Sequence, residues 1–201
     1  ARLFDPGNPD LEHNFTDALL AAGEIERGQA RNFWRHSKAE IRIERIGLPK
    51  AWDGTPCADG KGLLICQEQG IGDEIRFASC IPDILHRFRG PVVLEADKRL
   101  VPLFARSFPE LTVIEKIARS ETVPSTADYS GSVATLQIGQ HVMLADLPNH
   151  VRTSIADFPT HAGYLVPDSD EVRHWKNSFS ANTDQQTVGF CWRSGMRRQG
   201  A

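Results

Sequence analysis

The chain has 201 residues, of which 40% are hydrophobic and 24% are charged, and its formal net charge is −3. This composition suits a folded domain with a real core and excludes wholesale disorder. The negative charge argues against a general nucleic-acid-binding protein, which usually presents a strongly basic face. No apolar run approaches the roughly 20 residues of a membrane-spanning helix, and the N-terminus lacks the apolar run of a secretory signal.

The cysteines and histidines give no sign of a metal site. The sequence has four cysteines, none of them in a CxxC pair, and its histidines lack the HxxxH spacing. Cys66 and Cys191 lie in apolar, strand-like runs, where cysteine acts as a small hydrophobic residue. We therefore predict no metal site and no resident cofactor, in a protein of the reducing cytoplasm.

Residues 1–39 predict a helical hairpin. Apolar residues at helical spacing predict a first helix that Gly23 ends, and residues 25–39 predict a second helix. A helix pair joined by a short turn is the unit of helical repeat proteins. Thr16 stands where the tetratricopeptide pattern has glycine, and Gly28 stands where it has alanine. The pair is predicted to be the last repeat of an array, and a hairpin packed on the main domain is the alternative.

Residues 40–61 predict a connector, because two prolines and a Trp-Asp-Gly run break regular structure there. We expect Trp52 to anchor this connector on the next domain. After the connector, apolar strands alternate with helices. The predicted strands are GLLICQ, PVVLEA, LTVIEK, residues 129–136, residues 163–166 and TVGFCW. The predicted helices are residues 73–88, KRLVPLFARSF and residues 169–180, the last with Ser169 as its N-cap.

This alternation implies βαβ units and a mainly parallel sheet. We therefore predict an α/β, Rossmann-like lobe with flanking helices over residues 62–192. Residues 193–201 are predicted to be the truncated start of a second lobe, because the final predicted strand is followed by little more chain.

The stretch CQEQGIGDEIRF places two glycines and three acids between a predicted strand and a predicted helix. Ligands of parallel sheets bind beyond the carboxyl ends of the strands. Gly70 and Gly72 allow backbone conformations closed to other residues and let a ligand approach the main chain. Asp73 falls in the first helical turn, where a carboxylate stabilises the helix and could also take a proton from a hydroxyl group. Both roles, stabilising the helix and accepting a proton, stay open for Asp73. Glu74 is assigned only to stabilising the helix. Glu68, at the end of the strand, is a candidate binding residue.

Two known phosphate-binding patterns fit this turn poorly. Gly70, Gly72 and Ile75 occupy the places of GxGxxG, and the bulky Ile75 argues against a dinucleotide fingerprint. Glu95 or Asp97 does fall where a ribose-binding acid would, so a nicotinamide or flavin site is kept as the less favoured interpretation. The missing GK[ST] ending excludes a P-loop.

A resemblance to a known family gives the turn a function. PKAWDG, CQEQGIGDEIRFASCIPDI and VGFCWRSG resemble the N-terminal half of bacterial glycosyltransferase-like domains that follow tetratricopeptide repeats, which are similar to the heptosyltransferase family. The resemblance covers roughly residues 9–195. It implies a GT-B fold, in which an N-terminal lobe takes the acceptor and a C-terminal lobe binds a nucleotide-activated sugar. The family's Gly-Asp pair matches Gly72-Asp73, which implies that Asp73 is the general base.

The resemblance also suggests which residues bind substrates. Acceptor contacts are expected from the turn, and Arg152 is a further candidate, in a loop and short helix predicted over residues 146–158. The turn residues concerned are Glu68, Gln69, Gly70 and Gly72. Arg193, Ser194 and Gly195 follow the final predicted strand and are expected to face the donor diphosphate, since guanidinium and backbone N–H groups suit phosphate. A solvated basic tail is the alternative there.

The leading prediction is thus the acceptor lobe of an inverting glycosyltransferase. Its expected partners are a nucleotide sugar, a glycan, lipid or protein acceptor, and a protein bound through the repeat region. The alternative is a non-catalytic scaffold or binding module, in which a repeat array is joined to a degenerate Rossmann-like domain.

Overall fold

The computed structural model describes residues 5, 7–37, 43–57, 59–118, 120, 125–160, 163–180 and 188–190. The chain forms two compact units, residues 1–166 and residues 167–201. The α-helices are α1 (Pro9–Ala21), α2 (Ile25–Gln29), α3 (Ile71–Ala78), α4 (Ile81–Arg87), α5 (Val101–Ser107), α6 (Ser130–Thr135), α7 (Leu147–Val151) and α8 (Ser169–Ser180). The strands are β1 (Ile43–Ile46), β2 (Gly62–Cys66), β3 (Val92–Ala96), β4 (Thr112–Glu115), β5 (Ser125–Asp128) and β6 (Ile138–Met143). Within the described residues, 3₁₀ segments span Asn32–Ser37, Leu144–Asp146 and Ile155–Asp157.

The first unit is built on a four-stranded sheet in the order β4-β3-β2-β6, with every neighbouring pair parallel. A second, two-stranded sheet pairs β1 with β5, also in parallel. Helices α3 and α4 connect β2 to β3, α5 connects β3 to β4, and α6 precedes β6, as crossover connections between parallel strands usually do. The predicted α/β fold class, with a parallel sheet and flanking helices, is confirmed.

The central strand β2 is buried on both faces, because two apolar clusters lie against the sheet. Leu63 and Ile65 point into a cluster with α4, α5 and the connector. Leu64 and Cys66 point into a second cluster with Ala127 and Tyr129, at and just after β5. Each fully buried leucine or isoleucine stabilises the fold by about 1.5–3 kcal/mol.

The connector is fixed to this core by Trp52, as predicted. Its indole is 5% exposed and packs edge-on against Phe88, with ring centroids 6.1 Å apart. The indole N–H donates to the Thr55 carbonyl at 2.8 Å. The Trp52 amide donates to His141 at 2.7 Å, so the connector runs alongside β6.

The N-terminal helices cross closely, because small residues lie where they meet. A Cβ added at Gly28 would lie 2.6 Å from the Leu20 side chain. Thr16 is fully buried, and its hydroxyl donates to the Glu12 carbonyl at 2.9 Å. Gly23 ends the first helix with a positive φ of 80°, as expected. The predicted second helix is shorter than expected: α2 stops at Gln29.

Three predicted elements in the second half of the unit differ from the structure. Residues 129–136 are predicted as a strand but contain α6, and the Asp128 carboxylate accepts the amide of its first residue, Ser130, at 2.9 Å. Residues 138–143, for which no strand is predicted from the sequence, form β6. Residues 163–166 were predicted as a strand, yet the Val166 amide and carbonyl bond to side chains of α5 instead of to a strand.

The second unit contains the amphipathic helix α8. The helix begins at Ser169 as predicted, but its N-terminal amides donate to the Asp168 carboxylate, so Asp168 caps it. Asp170, in the first turn of the helix, pairs with Arg173 at 2.8 Å. Of the final predicted strand, residues 188–190 carry no regular secondary structure and the remainder lies outside the described residues. No helix in the described ranges has the length and apolarity needed to cross a membrane.

Candidate functional site

The Glu68–Asp73 turn lies at the carboxyl end of β2, next to the end of β6. The strands β3 and β4 lie on one side of β2, and β6 lies on the other. In open parallel sheets, such a change of direction leaves a crevice beyond the strand ends, where ligands bind. The α3 helix also packs against the Leu144–Asp146 segment that follows β6. The turn predicted from the sequence is therefore at the part of the fold best placed for a ligand.

Neither glycine of the turn is required by the fold. Gly70 has an extended backbone with φ −82°, and Gly72 also lies outside the positive-φ region, so neither glycine uses the backbone freedom that it allows. A Cβ on Gly72 would meet no described residue within 4 Å. A Cβ on Gly70 would make only an ordinary contact with Asp73, at 3.8 Å. The space left by the missing side chains is thus open toward solvent.

Asp73 is half-buried in the first turn of α3. Its amide donates to the Gly70 carbonyl at 3.0 Å, which fixes the backbone. Its carboxylate has no hydrogen-bond or ion-pair partner within the part of the chain that the structure describes. A carboxylate without a protein partner, beside an open glycine turn, is available to a ligand.

Glu74 does more than stabilise the helix, contrary to the prediction. Its side chain is 2% exposed, and its Oε2 atom accepts the Asp97 amide at 2.8 Å. Burial raises the pKa of Glu74, because the ionised carboxylate is poorly solvated there. The hydrogen bond ties the start of α3 to the end of β3, so it fixes one side of the turn.

A buried arginine fixes the other side of the turn. Arg35 comes from the Asn32–Ser37 segment and is only 1% exposed. Its Nη2 and Nε atoms donate to the two Glu68 oxygens at 2.8 and 3.3 Å, and its Nη1 atom donates to Asp146 at 2.8 Å. The Asn32 carbonyl accepts a further bond from Nη1 at 2.9 Å. Arg35 therefore lies across the crevice between the ends of β2 and β6.

His36 lies above the same two carboxylates, at the surface of the crevice. Its ring nitrogens are 3.6 Å from Glu68 and 3.3 Å from Asp146, and its side chain is 39% exposed. Burial alone would raise the pKa of Asp146, but hydrogen bonds from His36 and Arg35 outweigh it and hold the pKa at about 2. Asp146 is thus ionised at neutral pH.

Sequence reasoning missed Arg35, His36 and Asp146 as members of this site. The first two residues are far from the turn in sequence, and no local pattern links them to it. Asp146 could have been found, since it follows a strand as Glu68 does. Recognising β6 would have placed both acids at the same edge.

Glu95, considered above as a ribose-binding acid, is fully buried beneath the turn. Its carboxylate accepts the Gln67 amide at 2.9 Å, the Ile117 amide at 2.7 Å and the Tyr129 hydroxyl at about 3 Å. These bonds join the ends of β2 and β4 to the residue after β5. Glu95 therefore has a structural role and faces no ligand.

Asp97, the other acid considered for a ribose, is paired with two cations. Arg99 Nε is 2.9 Å and Lys116 Nζ is 3.1 Å from its carboxylate oxygens. These hydrogen bonds hold the pKa of Asp97 well below its usual range. Neither acid is therefore free to hold a ribose, which weakens the dinucleotide interpretation further.

Arg152 contacts the C-terminal end of α3 and the start of α4, whereas Asp73 lies in the first turn of α3. The guanidinium is 5% exposed, and it donates to the Asp83 carboxylate at 3.0 Å and to the Ser79 hydroxyl at 3.0 Å. It lines a cavity of about 660 Å³ with residues of α4 and α5, and Asp73 is not in that lining. The predicted contact between Arg152 and an acceptor stays a prediction.

The remaining predicted site residues differ in what the structure shows. Gln69 is half-buried, and its carbonyl accepts the Gln67 side-chain amide, which shapes the turn. Arg193, Ser194 and Gly195 lie outside the described residues. In the described ranges, no group of three histidine, cysteine or acidic side chains is arranged to hold a metal ion.

Comparison with known proteins gives one informative relative. The chain is 31% identical over 204 residues to Protein FlbA of Caulobacter vibrioides, with 96% of this chain covered. The match takes in 34% of that relative, so the chain spans about a third of the length of the curated protein it matches. No protein-family model matches the chain, and no solved structure shows significant similarity to it.

Proposed function

We propose that this chain is the acceptor-binding lobe of an inverting glycosyltransferase of the GT-B type, with Asp73 as the general base. One observation carries the proposal: the Asp73 carboxylate, which has no partner among the described residues, stands beside two glycines that neither backbone geometry nor packing requires. Gly72 lies inside α3, where glycine costs about 0.5–1 kcal/mol relative to alanine, whereas Gly70 is the N-cap, where glycine is preferred to alanine. A substrate that must approach the main chain at Gly72 accounts for that cost.

The proposed reaction uses Asp73 to activate a hydroxyl group of the acceptor. Asp73 accepts the hydroxyl proton as the acceptor oxygen attacks the anomeric carbon of a nucleotide sugar. The new bond joins that oxygen to the sugar, and the bond to the leaving nucleotide diphosphate breaks with its electron pair. Attack from the face opposite the leaving group inverts the anomeric centre. Gln69 and the glycines form the wall against which the acceptor lies.

Stabilising the leaving diphosphate falls to the second lobe in this proposal. Arg193, Ser194 and Gly195 begin that lobe and supply guanidinium and backbone N–H donors. The rest of the donor site is assigned to a second lobe, and the chain spans only about a third of the length of the relative that it matches. We place the reaction in the cytoplasm, where nucleotide sugars are available.

Asp73→Asn in the full-length protein tests the base assignment. The substitution keeps the shape of the side chain and removes its basicity, so we expect turnover to fall about 100-fold or more, within the usual range for a general base. Glu26→Gln is the matched control, because Glu26 is also an acid in the first turn of a helix. Near-normal sugar transfer by Asp73→Asn would rule out this role.

A non-catalytic scaffold is the second candidate, and Arg35 is the observation that favours it. This side chain fills the crevice where ligands of parallel sheets usually bind, which is consistent with a degenerate site. A hydrolysis and transfer screen with UDP-, GDP-, ADP- and CMP-sugars separates the two functions. Turnover of any donor that Asp73→Asn abolishes supports the enzyme, whereas silence across the panel supports the scaffold.

A further inference from the structure

The N-terminal hairpin contributes directly to the edge of the sheet that carries the proposed site. Three side chains of the Asn32–Ser37 segment reach this edge. Asn32 donates to the Ala145 carbonyl at 3.0 Å, and Arg35 and His36 contact the two carboxylates described above. The segment thus contacts the chain after β2 and the chain after β6 at once.

The geometry at Arg35 leaves its partners little freedom. A guanidinium is a rigid planar fork, and a carboxylate that pairs with two of its N–H groups is fixed in both position and orientation. Glu68 is paired in this way, and its Oε1 atom also accepts the Ala145 amide at 3.2 Å. A buried charge that loses such partners is poorly solvated, so the arrangement resists change.

The turn is consequently held at both of its ends. Glu68 fixes the start of the turn against the hairpin, and Glu74 fixes its end against the Asp97 amide. Between these two anchors lie the open glycines and the carboxylate of Asp73, which no described residue pairs with. The position of Asp73 therefore depends on a residue that belongs to the hairpin.

We propose that Arg35 is a positioning residue for the Glu68–Asp73 turn, so that the helical hairpin is part of the transfer site rather than a separate adaptor. This inference rests on the proposed function for its meaning in catalysis. Its structural part, that Arg35 holds the turn through Glu68, stands independently and is tested separately. Acceptor binding on the hairpin would then act directly on the turn that carries the base.

Amide hydrogen exchange tests the structural part in this chain, without a substrate. In Arg35→Met we expect the amides of Asp73 and Ala145 to exchange about tenfold faster or more, because both depend on the anchored turn. The amides of β3 serve as the reference for global opening. Arg31→Met is the matched control, since Arg31 pairs with the buried Glu12 inside the hairpin and does not touch the turn.

Arg35→Lys decides the question if Arg35→Met fails to fold. Lysine keeps the charge but lacks the fork, so it cannot hold Glu68 and Asp146 together. We expect faster exchange at Asp73 and Ala145 in this variant as well, with β3 unchanged. The inference is overturned if, in every variant that folds, the exchange rates of the Asp73 and Ala145 amides rise by no more than those of the β3 amides.

Kinetics of the full-length protein test the catalytic part. If a nucleotide sugar is turned over, Arg35→Lys should lower kcat about tenfold or more while KM for the donor stays within about twofold, because the base is misplaced and the donor site is not. An unchanged kcat would overturn the catalytic part. If no donor is turned over by the parent protein, the proposed function fails, whereas the exchange result still decides whether Arg35 positions the turn.

Discussion

Replacing Gly72 with alanine tests whether the glycine is required for folding or for substrate binding. Gly72 is the second residue of α3, its φ is not positive, and an added methyl group would meet no described residue within 4 Å. Alanine at a compatible position stabilises a protein by about 0.4–1 kcal/mol, chiefly because the unfolded chain loses conformational freedom. For a chain of this size we expect Tm to rise by about 1–4 °C.

The assay is urea unfolding followed by tryptophan fluorescence, for which the chain has four tryptophans. Gly131→Ala is the matched control: Gly131 is also the second residue of a helix, and its Cβ would also meet nothing within 4 Å. Both variants should be stabilised by similar amounts. Only Gly72→Ala should impair sugar transfer by the full-length protein, because its methyl group occupies the space that the acceptor needs.

Two results would refute this reasoning. If Gly72→Ala is destabilised while Gly131→Ala is stabilised, the fold does require the glycine. If Gly72→Ala is stabilised and transfers sugar at the parent rate, the open space beside Asp73 does not receive a substrate. In that case the observation that carries the proposed function no longer supports it.

Three further predictions concern stability. Gly28→Ala should cost about 1–3 kcal/mol through overpacking against Leu20, seen as a lower urea midpoint; a midpoint at or above the parent value would contradict the close helix crossing. Tyr129→Phe removes a donor to the buried Glu95 carboxylate and should cost about 1–3 kcal/mol by the same assay, and a neutral effect would show that the carboxylate finds another donor. Burial lowers the pKa of His141 from 6.5, so the imidazole is protonated in the unfolded state before it is in the folded state. The free energy of unfolding should therefore fall as the pH drops through about 6.5. In His141→Gln this fall should be smaller.

Sequence patterns predicted the strands that are apolar throughout. GLLIC and VVLEA became β2 and β3, because a strand buried on both faces needs a continuous apolar run. The pattern failed for β6, where Gly139, Gln140 and His141 interrupt the apolar residues. Gln140 is nevertheless fully buried, so its place in the sheet follows from neighbours that the local sequence does not show.

Helix boundaries show the same limit. Residues 73–88 read as one helix, but α3 ends at Ala78 and α4 begins at Ile81. Pro82 explains the break, because it has no N–H for the Ala78 carbonyl and its ring would clash there. The pattern was sufficient to predict a helix, and proline alone marked where it had to stop.

The position of the Glu68–Asp73 turn could be predicted from the sequence, whereas the contacts that hold the turn in place could not. Glycines and acids after an apolar strand are a local signal, and they located Asp73 correctly at the carboxyl end of β2. Arg35 reaches Glu68 and Asp146 from a distant part of the chain, and such a contact leaves no spacing to detect. Only the fold shows that the hairpin and the turn are joined.

The pairing of β2 with β6 also bears on how the protein folds. One neighbour of β2 is β3, which follows soon in sequence, but the other edge of β2 is paired only after residues 138–143 have been made. Contacts between distant segments form slowly, because the intervening loop must first be closed. Until then β2 exposes an apolar edge on which other chains can pair. A nascent chain stalled before residue 138 should therefore aggregate or recruit chaperones, whereas one that extends past residue 143 can bury that edge.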